Sequence, residues 1–316
     1  MPPCVLVTGG AGFIGSHLVS ALLAEGYLVR VIDDLSTGRL ANLEGVLHRI
    51  EFHQGDIRQA ALVAELCRGA DFVLHQASLV SVQASVEDPE AAYEIIVRGT
   101  LNVLQAARSA GVRRVILASS SAVYGDAPGG PRAETLAPRP LSPYAAGKLA
   151  AEALCRAFHH SYGLETVVLR YFNVYGPRQD PHSPYAAVIP SFISALAAGR
   201  PPVIFGNGEQ TRDFVHVFDV VRANLLAMTA PAASATGEVV NIGTGHGVSI
   251  NQLLREIATL FGVPAAAEYG PPRPGDLRTS VAETLRARRL LGFAPEIGLR
   301  QGLADLIAST PRTKIP

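Results

Sequence analysis

Thr8-Gly9-Gly10-Ala11-Gly12-Phe13-Ile14-Gly15 stands between a short β-branched run, Val5 to Val7, and an apolar pattern of helical spacing through His17, Leu18 and Leu22. Glycine at such positions lets backbone come close to a diphosphate, and free N–H groups at a helix start favour negative charge. A glycine turn alone also serves purely steric ends, so its neighbours decide the reading. Asp33 closes the next β-branched run, 33 − 15 = 18 residues past the last glycine. A carboxylate there suits the hydroxyls of an adenosine ribose and would repel a 2′-phosphate, which favours NAD over NADP.

Further β-branched or apolar runs follow at Val29 to Ile32, Ile50 to His53, Phe72 to His75, Val115 to Ala118 and Thr166 to Leu169. Between them Ala60 to Cys67 and Ala91 to Ala110 repeat apolar residues at helical spacing. This alternation predicts an α/β fold, a Rossmann-type doubly wound parallel sheet. Residues 1–170 are expected to form the dinucleotide-binding domain, with return segments near 213–228 and 238–246. Beyond residue 170 the pattern loosens into Pro- and Gly-rich loops, broken by helical stretches near Pro190 to Ala198 and Asn251 to Phe261. A smaller C-terminal substrate-binding α/β lobe over 171–316 is expected, and Ala230 to Thr236 reads as a surface loop.

The 316 residues carry 27 basic and 27 acidic side chains, 13 and 15 of them up to residue 160 and 14 and 12 after it. Neither half is the basic footprint of a nucleic-acid-binding protein. Three scattered cysteines without a C-x-x-C pair, and nine histidines without ligand spacing, suggest neither a disulfide framework nor a metal site. The N-terminus lacks a basic n-region and no run of 18 apolar residues occurs, so a soluble cytoplasmic protein with no membrane partner is expected. Hydrolase elbows and Walker lysines are absent from the sequence.

Of the 27 basic residues only Lys148 and Lys314 are lysine. Codon bias explains the 25 arginines and leaves the mid-chain lysine as the exception. It falls in Ser142-Pro143-Tyr144-Ala145-Ala146-Gly147-Lys148, where Ser142 can cap a helix and Pro143 suits its first position. Tyr144 and Lys148, four apart, share one helix face. Lowering a tyrosine pKa by about 3 units takes roughly 4 kcal/mol, which a nearby ammonium and a cationic nicotinamide ring can supply.

The ordered set of fragments is similar to the extended short-chain dehydrogenase/reductase family, and within it to the nucleotide-sugar 4-epimerases. Besides the glycine turn and Tyr144 to Lys148, the fragments are Gly55-Asp56-Ile57, His75-Gln76-Ala77-Ser78, Ser119-Ser120-Ser121-Ala122-Val123-Tyr124-Gly125, Arg170 to Gly176, Thr211 to Phe214 and Arg273-Pro274-Gly275-Asp276. The resemblance implies Tyr144 as base, Lys148 as its ammonium partner and Ser120 in the catalytic Ser/Thr slot, with Ser119 or Ser121 as register alternatives. For NAD it implies Gly9, Gly12, Phe13, Ile14 and Gly15 at the diphosphate, and Asp33 with Asp34, Leu35, Ser36, Thr37 and Gly38 around the adenosine ribose. Asp56 and Ile57 would lie beside the adenine, and Gln76, Ala77, Ser78, Ser119 and Phe172 would also meet the cofactor. For a UDP-sugar it implies Ser120, Tyr144, Asn173, Ala187, Val188, Val203, Phe205 and Ser280, with Arg212 and Arg273 at the phosphates and Asp276 at the uridine ribose. One departure is Ile96, where the family has an asparagine ahead of its Val-x-Gly-Thr run; a cofactor-side hydrogen bond is expected to be missing or replaced.

The implied reaction is a reversible oxidation at C4 through a transient 4-keto sugar. Dehydratases and decarboxylases of the family carry an acid just after the catalytic Ser/Thr, whereas Ser121-Ala122-Val123 stands here. Ser280 replaces the bulky tyrosine of narrow epimerases and leaves room for an N-acetyl group, so UDP-GlcNAc and UDP-GalNAc are expected beside UDP-Glc and UDP-Gal. A UDP-glucuronate 4-epimerase would need a cation near C6, for which Arg98 and Arg178 are the candidates. A reading from another class is a catalytically silent NAD-binding regulatory protein, against which the intact Ser120, Tyr144 and Lys148 speak. A homodimer through helices near 91–110 and 144–161 is also implied.

Overall fold

The computed structural model describes residues 2–127, 129–180, 187–272 and 277–309. Seven strands form the main sheet: β1 (Cys4–Thr8), β2 (Leu28–Asp33), β3 (Glu51–Gln54), β4 (Phe72–His75), β5 (Arg114–Ser120), β6 (Glu165–Tyr171) and β7 (Glu238–Ile242). All neighbours pair in parallel, in the order β7-β6-β5-β4-β1-β2-β3. The chain leaves β1 toward β3, then crosses back to β4 on the other side of β1. That reversal opens a crevice at the carboxyl ends of β1 and β4, where ligands of open α/β sheets bind.

Two apolar layers sandwich the sheet. On one face Leu18, Leu22, Val220 and Ala227 join Val5, Val7, Ile116 and Leu169; on the other Val63, Leu66, Val103 and Cys155 join Leu6, Val73 and Val115. Strands covered on both sides are continuous apolar runs for this reason. The helix Val217–Thr229 and β7 return to this body from beyond residue 170. So does Leu285–Leu291, whose Ala287 and Leu291 enter the first layer, a return that the sequence reading did not anticipate.

The remaining residues form a small lobe in which Val188–Ala197, Ile250–Phe261 and Leu299–Ser309 share a core of Phe192, Ile193, Leu253, Ile257 and Leu303. Ser249 and Gln252 close a reciprocal capping box on the second of these helices.

Two expectations are corrected. Ala230 to Thr236 is not wholly loop, since Ala232–Ala235 makes one helical turn. The single helix expected over Ala91 to Ala110 is interrupted: Pro89–Ala92 and Gly99–Ala110 are α-helical, and Tyr93–Arg98 between them is wound as a π-helix. Such a widened turn is a local defect in the i→i−4 ladder that apolar periodicity does not report, and it often lies at a functional site. Among the described residues no helix is long and apolar enough to cross a membrane.

Candidate active site

The glycine turn joins β1 to the helix Phe13–Ala24. Gly9 sits at φ 68°, and a Cβ there would come within 2.7 Å of the Ala77 amide nitrogen. At Gly15 a Cβ would stand 2.1 Å from the Gly9 carbonyl oxygen, so strand and helix approach this closely only without a side chain. Gly12 differs: the nearest atom to a Cβ would be that same oxygen at 3.2 Å, and nothing else lies within 4 Å. Gly12 is also the N-cap, and no side chain caps it, which leaves first-turn N–H groups for an outside anion. Phe13 and Ile14 follow, both half-buried. This cradle fits a dinucleotide diphosphate. Gly15→Ala is therefore expected to remove bound NAD from the purified protein and lower Tm; full NAD content after denaturing release would refute the close-approach argument.

Asp33 is buried at the end of β2 and accepts the N–H groups of Ala11 and Leu35, each at 2.9 Å. Burial pushes its pKa up, against the pull of those amides. The following loop folds over it. Asp34 accepts Ser36 N–H and O–H, Leu35 sits at φ 61°, Thr37 is exposed, and a Cβ on Gly38 would lie 2.5 Å from Asp33 Oδ1. Positive φ at a leucine is costly and is kept where the surroundings hold it. On the neighbouring loop burial acts against the Asp56 carboxylate, but Arg58 donates to it at 2.6 and 2.8 Å and holds its pKa below the ordinary value. The Ile57 carbonyl is tied to buried Asn102 at 3.1 Å.

At the end of β4, Gln76 N–H bonds to Thr8 O and Ala77 N–H to Thr8 Oγ1, so the two strand ends flanking the crevice are stitched together. The Ser78 hydroxyl donates to Leu79 O, and the Gln76 side chain meets Tyr171 and Asn224. His75 beneath is a satisfied core histidine between Thr8 (2.7 Å) and Thr100 (3.0 Å), and burial lowers its pKa to about 3.

Ser142 caps the helix Pro143–Tyr162 by accepting Ala145 N–H, with Pro143 in the first position. Lys148 is buried and donates to the Ala118 carbonyl on β5 at 2.7 Å, its Nζ 5.8 Å from the Tyr144 ring centre. Burial lowers its pKa to about 8, partly countered by Glu152. Burial raises the Tyr144 pKa, and the facing Ser120 hydroxyl opposes that. Ser120 ends β5 and its Oγ accepts Ala122 N–H at 3.1 Å. Strand alternation turns Ser119 the other way, where its hydroxyl donates to buried Glu152. A cofactor contact by Ser119 could then come only through its backbone.

Phe172 is buried, its ring 6.4 Å from that of Tyr124. Asn173 begins the short strand Asn173–Tyr175, bonded through its N–H to Asp213 O. Arg212 lies in Thr211–Arg212 and donates to Thr211 O (2.8 Å) and Leu277 O (2.7 Å). Ser280 is buried and pairs in register with Arg212. Val203 and Phe205 alternate with core residue Ile204, so they face away from the lobe interior. Exposed Ala187 caps the helix that Val188 begins. Arg273 and Asp276 lie outside the described residues.

Ile96 is buried in the π-turn, its side chain about 3.3 Å from where a Cβ on Gly147 would be, and its carbonyl accepts the Thr100 hydroxyl at 2.5 Å. The side chain packs rather than hydrogen-bonds. Sequence reading also missed Ser85, whose hydroxyl accepts Tyr144 N–H at 3.0 Å, and the pair Glu152 and Arg170. Glu152 had a signal, its place four residues beyond Lys148; nothing in the sequence marked Ser85. Among the described residues no group of His, Cys, Asp or Glu is placed to hold a metal ion.

Comparison with known proteins meets this geometry directly. The profile of the NAD dependent epimerase/dehydratase family matches residues 5–243. A UDP-glucose 4-epimerase of Mycolicibacterium smegmatis is 44% identical over 306 residues, covering 96% of both chains. The solved UDP-N-acetylglucosamine 4-epimerase of Methanobrevibacter ruminantium, in complex with UDP-N-acetylmuramic acid, is 39% identical with a TM-score of 0.91, covering 98% of each chain. A Thermus thermophilus UDP-glucose 4-epimerase solved in complex with NAD is 40% identical with a TM-score of 0.87, over 96% of this chain and 98% of that one. With a glycine cradle shaped for its diphosphate, NAD is the cofactor, and the chain belongs to the NAD dependent epimerase/dehydratase family.

Proposed function

We propose that this protein is a 4-epimerase of UDP-hexoses that also accepts their N-acetylated counterparts. The carrying observation is the convergence of Tyr144 on Ser120 at the end of β5 and on the buried Lys148 ammonium, 5.8 Å from the Tyr144 ring centre, with no carboxylic acid in the turn Ser121–Tyr124. Bound NAD supplies the hydride acceptor and donor for C4. Ser120 holds O4, Tyr144 takes and returns its proton, and Lys148 stabilises the phenolate. With Tyr124 bonded to Asn241, that turn offers no second acid or base for elimination. Arg212 stands at the lobe side to anchor the diphosphate, so that the transient 4-keto sugar can turn about its tether. The M. smegmatis and M. ruminantium relatives support the reaction and both substrate pairs.

Against a uronate substrate, Arg178 reaches toward Ser20 on the first helix and Arg98 is exposed at the end of the π-turn. Conversion of UDP-Glc, UDP-GlcNAc and UDP-glucuronate, followed to equilibrium by chromatography, tests the reading. No conversion of any of them by NAD-loaded protein would favour a silent regulator. Ser280→Tyr is expected to cut kcat/KM for UDP-GlcNAc by about 10- to 100-fold relative to UDP-Glc, because the added ring fills the space an acetamido group needs. Equal losses on both substrates would dismiss Ser280 as the gate.

A further inference from the structure

Beneath Ser120 and Lys148 lies a buried polar cluster. Glu152 and Arg170 are each about 5% exposed, and their bidentate pair closes at 2.9 and 2.6 Å. Ser119, next to Ser120, donates to the same carboxylate. Arg170 lies with its Cζ 4.7 Å from the Tyr124 ring centre, and its Nη1 has no hydrogen-bond partner among the described residues. A buried ion pair is a weak source of stability, because desolvation offsets its attraction. Its placement suggests another use. Glu152 follows Lys148 by one helical turn on the same face, and through Ser119 it grips the strand end that presents Ser120.

We propose that Glu152, clamped by Arg170, is a positioning residue for the epimerase chemistry: it fixes the end of β5 through Ser119 and sets one negative charge beside the Lys148 ammonium. This rests on the assignment of Tyr144, Ser120 and Lys148 made above. Among the described residues the other titratable groups around the cluster are His75 on β4 under Lys148, Tyr124 against Arg170 with Glu134 behind it, and Tyr144 and Cys155 on the helix itself. His75 is neutral and Cys155 is held as a thiol by burial, so the carboxylate and guanidinium dominate the local field.

The two members act on Lys148 with opposite sign. Removing the carboxylate makes Lys148 lose its proton at lower pH; removing the guanidinium exposes Lys148 to the full carboxylate charge and keeps it protonated to higher pH. The alkaline limb of kcat for UDP-glucose conversion is therefore expected to move down by about one pH unit in Glu152→Gln and up by a similar amount in Arg170→Met. A purely structural role would lower kcat or Tm without moving the two limbs apart. Limbs that stay put, or move in the same sense, overturn the proposal. Should Glu152→Gln not fold, Ser119→Ala and Arg170→Met decide. The first is expected to lower kcat about tenfold with KM and NAD content unchanged, since positioning is lost and binding is not; a kcat within twofold of the parent, or no upward limb shift in Arg170→Met, overturns it. An inactive parent protein, or a Tyr144→Phe variant as active as the parent, would instead overturn the catalytic assignment beneath it.

Discussion

Replacing Tyr144 with phenylalanine is expected to lower kcat by about 10³-fold or more, within the range a positioned general base contributes, while NAD content and Tm stay at parent values. The ring packs against the second apolar layer, and phenylalanine preserves that packing. What is removed is one hydroxyl, the one that faces Ser120. A 10³-fold loss corresponds to about 4 kcal/mol of transition-state stabilisation, far more than a neutral hydrogen bond contributes to stability. Burial alone would hold this phenol protonated at neutral pH. Its basicity must come from charge gathered around it, from Lys148 on its own helix and from the cationic ring of the bound cofactor. Activity should accordingly rise with pH along the acid limb as the phenol ionises. A variant keeping a tenth of parental kcat in a direct UDP-glucose conversion assay would show that another group takes the O4 proton.

The parts of this site that a sequence discloses are those where chemistry restricts the residue type. Gly9 and Gly15 must be glycine because a Cβ would overlap backbone, and Asp33 must be short and acidic to reach two amides at once. Each leaves a mark at a fixed spacing, as does the Ser-Pro start of the Tyr144 helix. Periodicity likewise locates all six strands of the first 170 residues, the inner ones because a sheet covered on both faces needs apolar runs, while β3 is a half-exposed edge. What stays hidden depends on three-dimensional meeting points. Ser85 reaches the Tyr144 amide across 59 residues, and Arg170 finds Glu152 only because β6 lies under the helix that carries Tyr144. The π-turn around Ile96 is hidden for another reason: isoleucine fits an α-helix and a π-turn alike, and its contact with Gly147 is made only in the fold. Ser119 and Ser120 were interchangeable as letters. The pleat separates them, turning one hydroxyl toward Tyr144 and bonding the other to Glu152.

Lys148 makes the second large effect, in a chain that otherwise uses arginine almost everywhere. If a positive charge were all that the site required, Lys148→Arg would be nearly silent; it is expected instead to lower kcat by about 100-fold. The ammonium sits in a buried slot, bonded to Ala118 O, and a planar guanidinium cannot occupy that slot without displacing the β5 end or the Tyr144 ring. Lys148→Met fits the space without charge and should be as inactive, yet more stable. The sign follows from linkage. The folded pKa of about 8 lies below the ordinary 10.5, so at neutral pH the fold bears a cost of about 3 kcal/mol for keeping this amine charged, a cost that fades as pH rises from 8 toward 10.5. Methionine removes that cost and deprives the Ala118 carbonyl of this donor at about 1 to 2 kcal/mol, a net gain of about 1 to 2 kcal/mol. Denaturant titration at pH 7 should record it, and at pH 10 the gain should shrink toward zero or reverse. A Lys148→Met protein less stable than the parent at pH 7 would mean that the ammonium is structural. A Lys148→Arg protein within threefold of parental kcat would mean that charge alone suffices, leaving the survival of lysine here without a chemical cause.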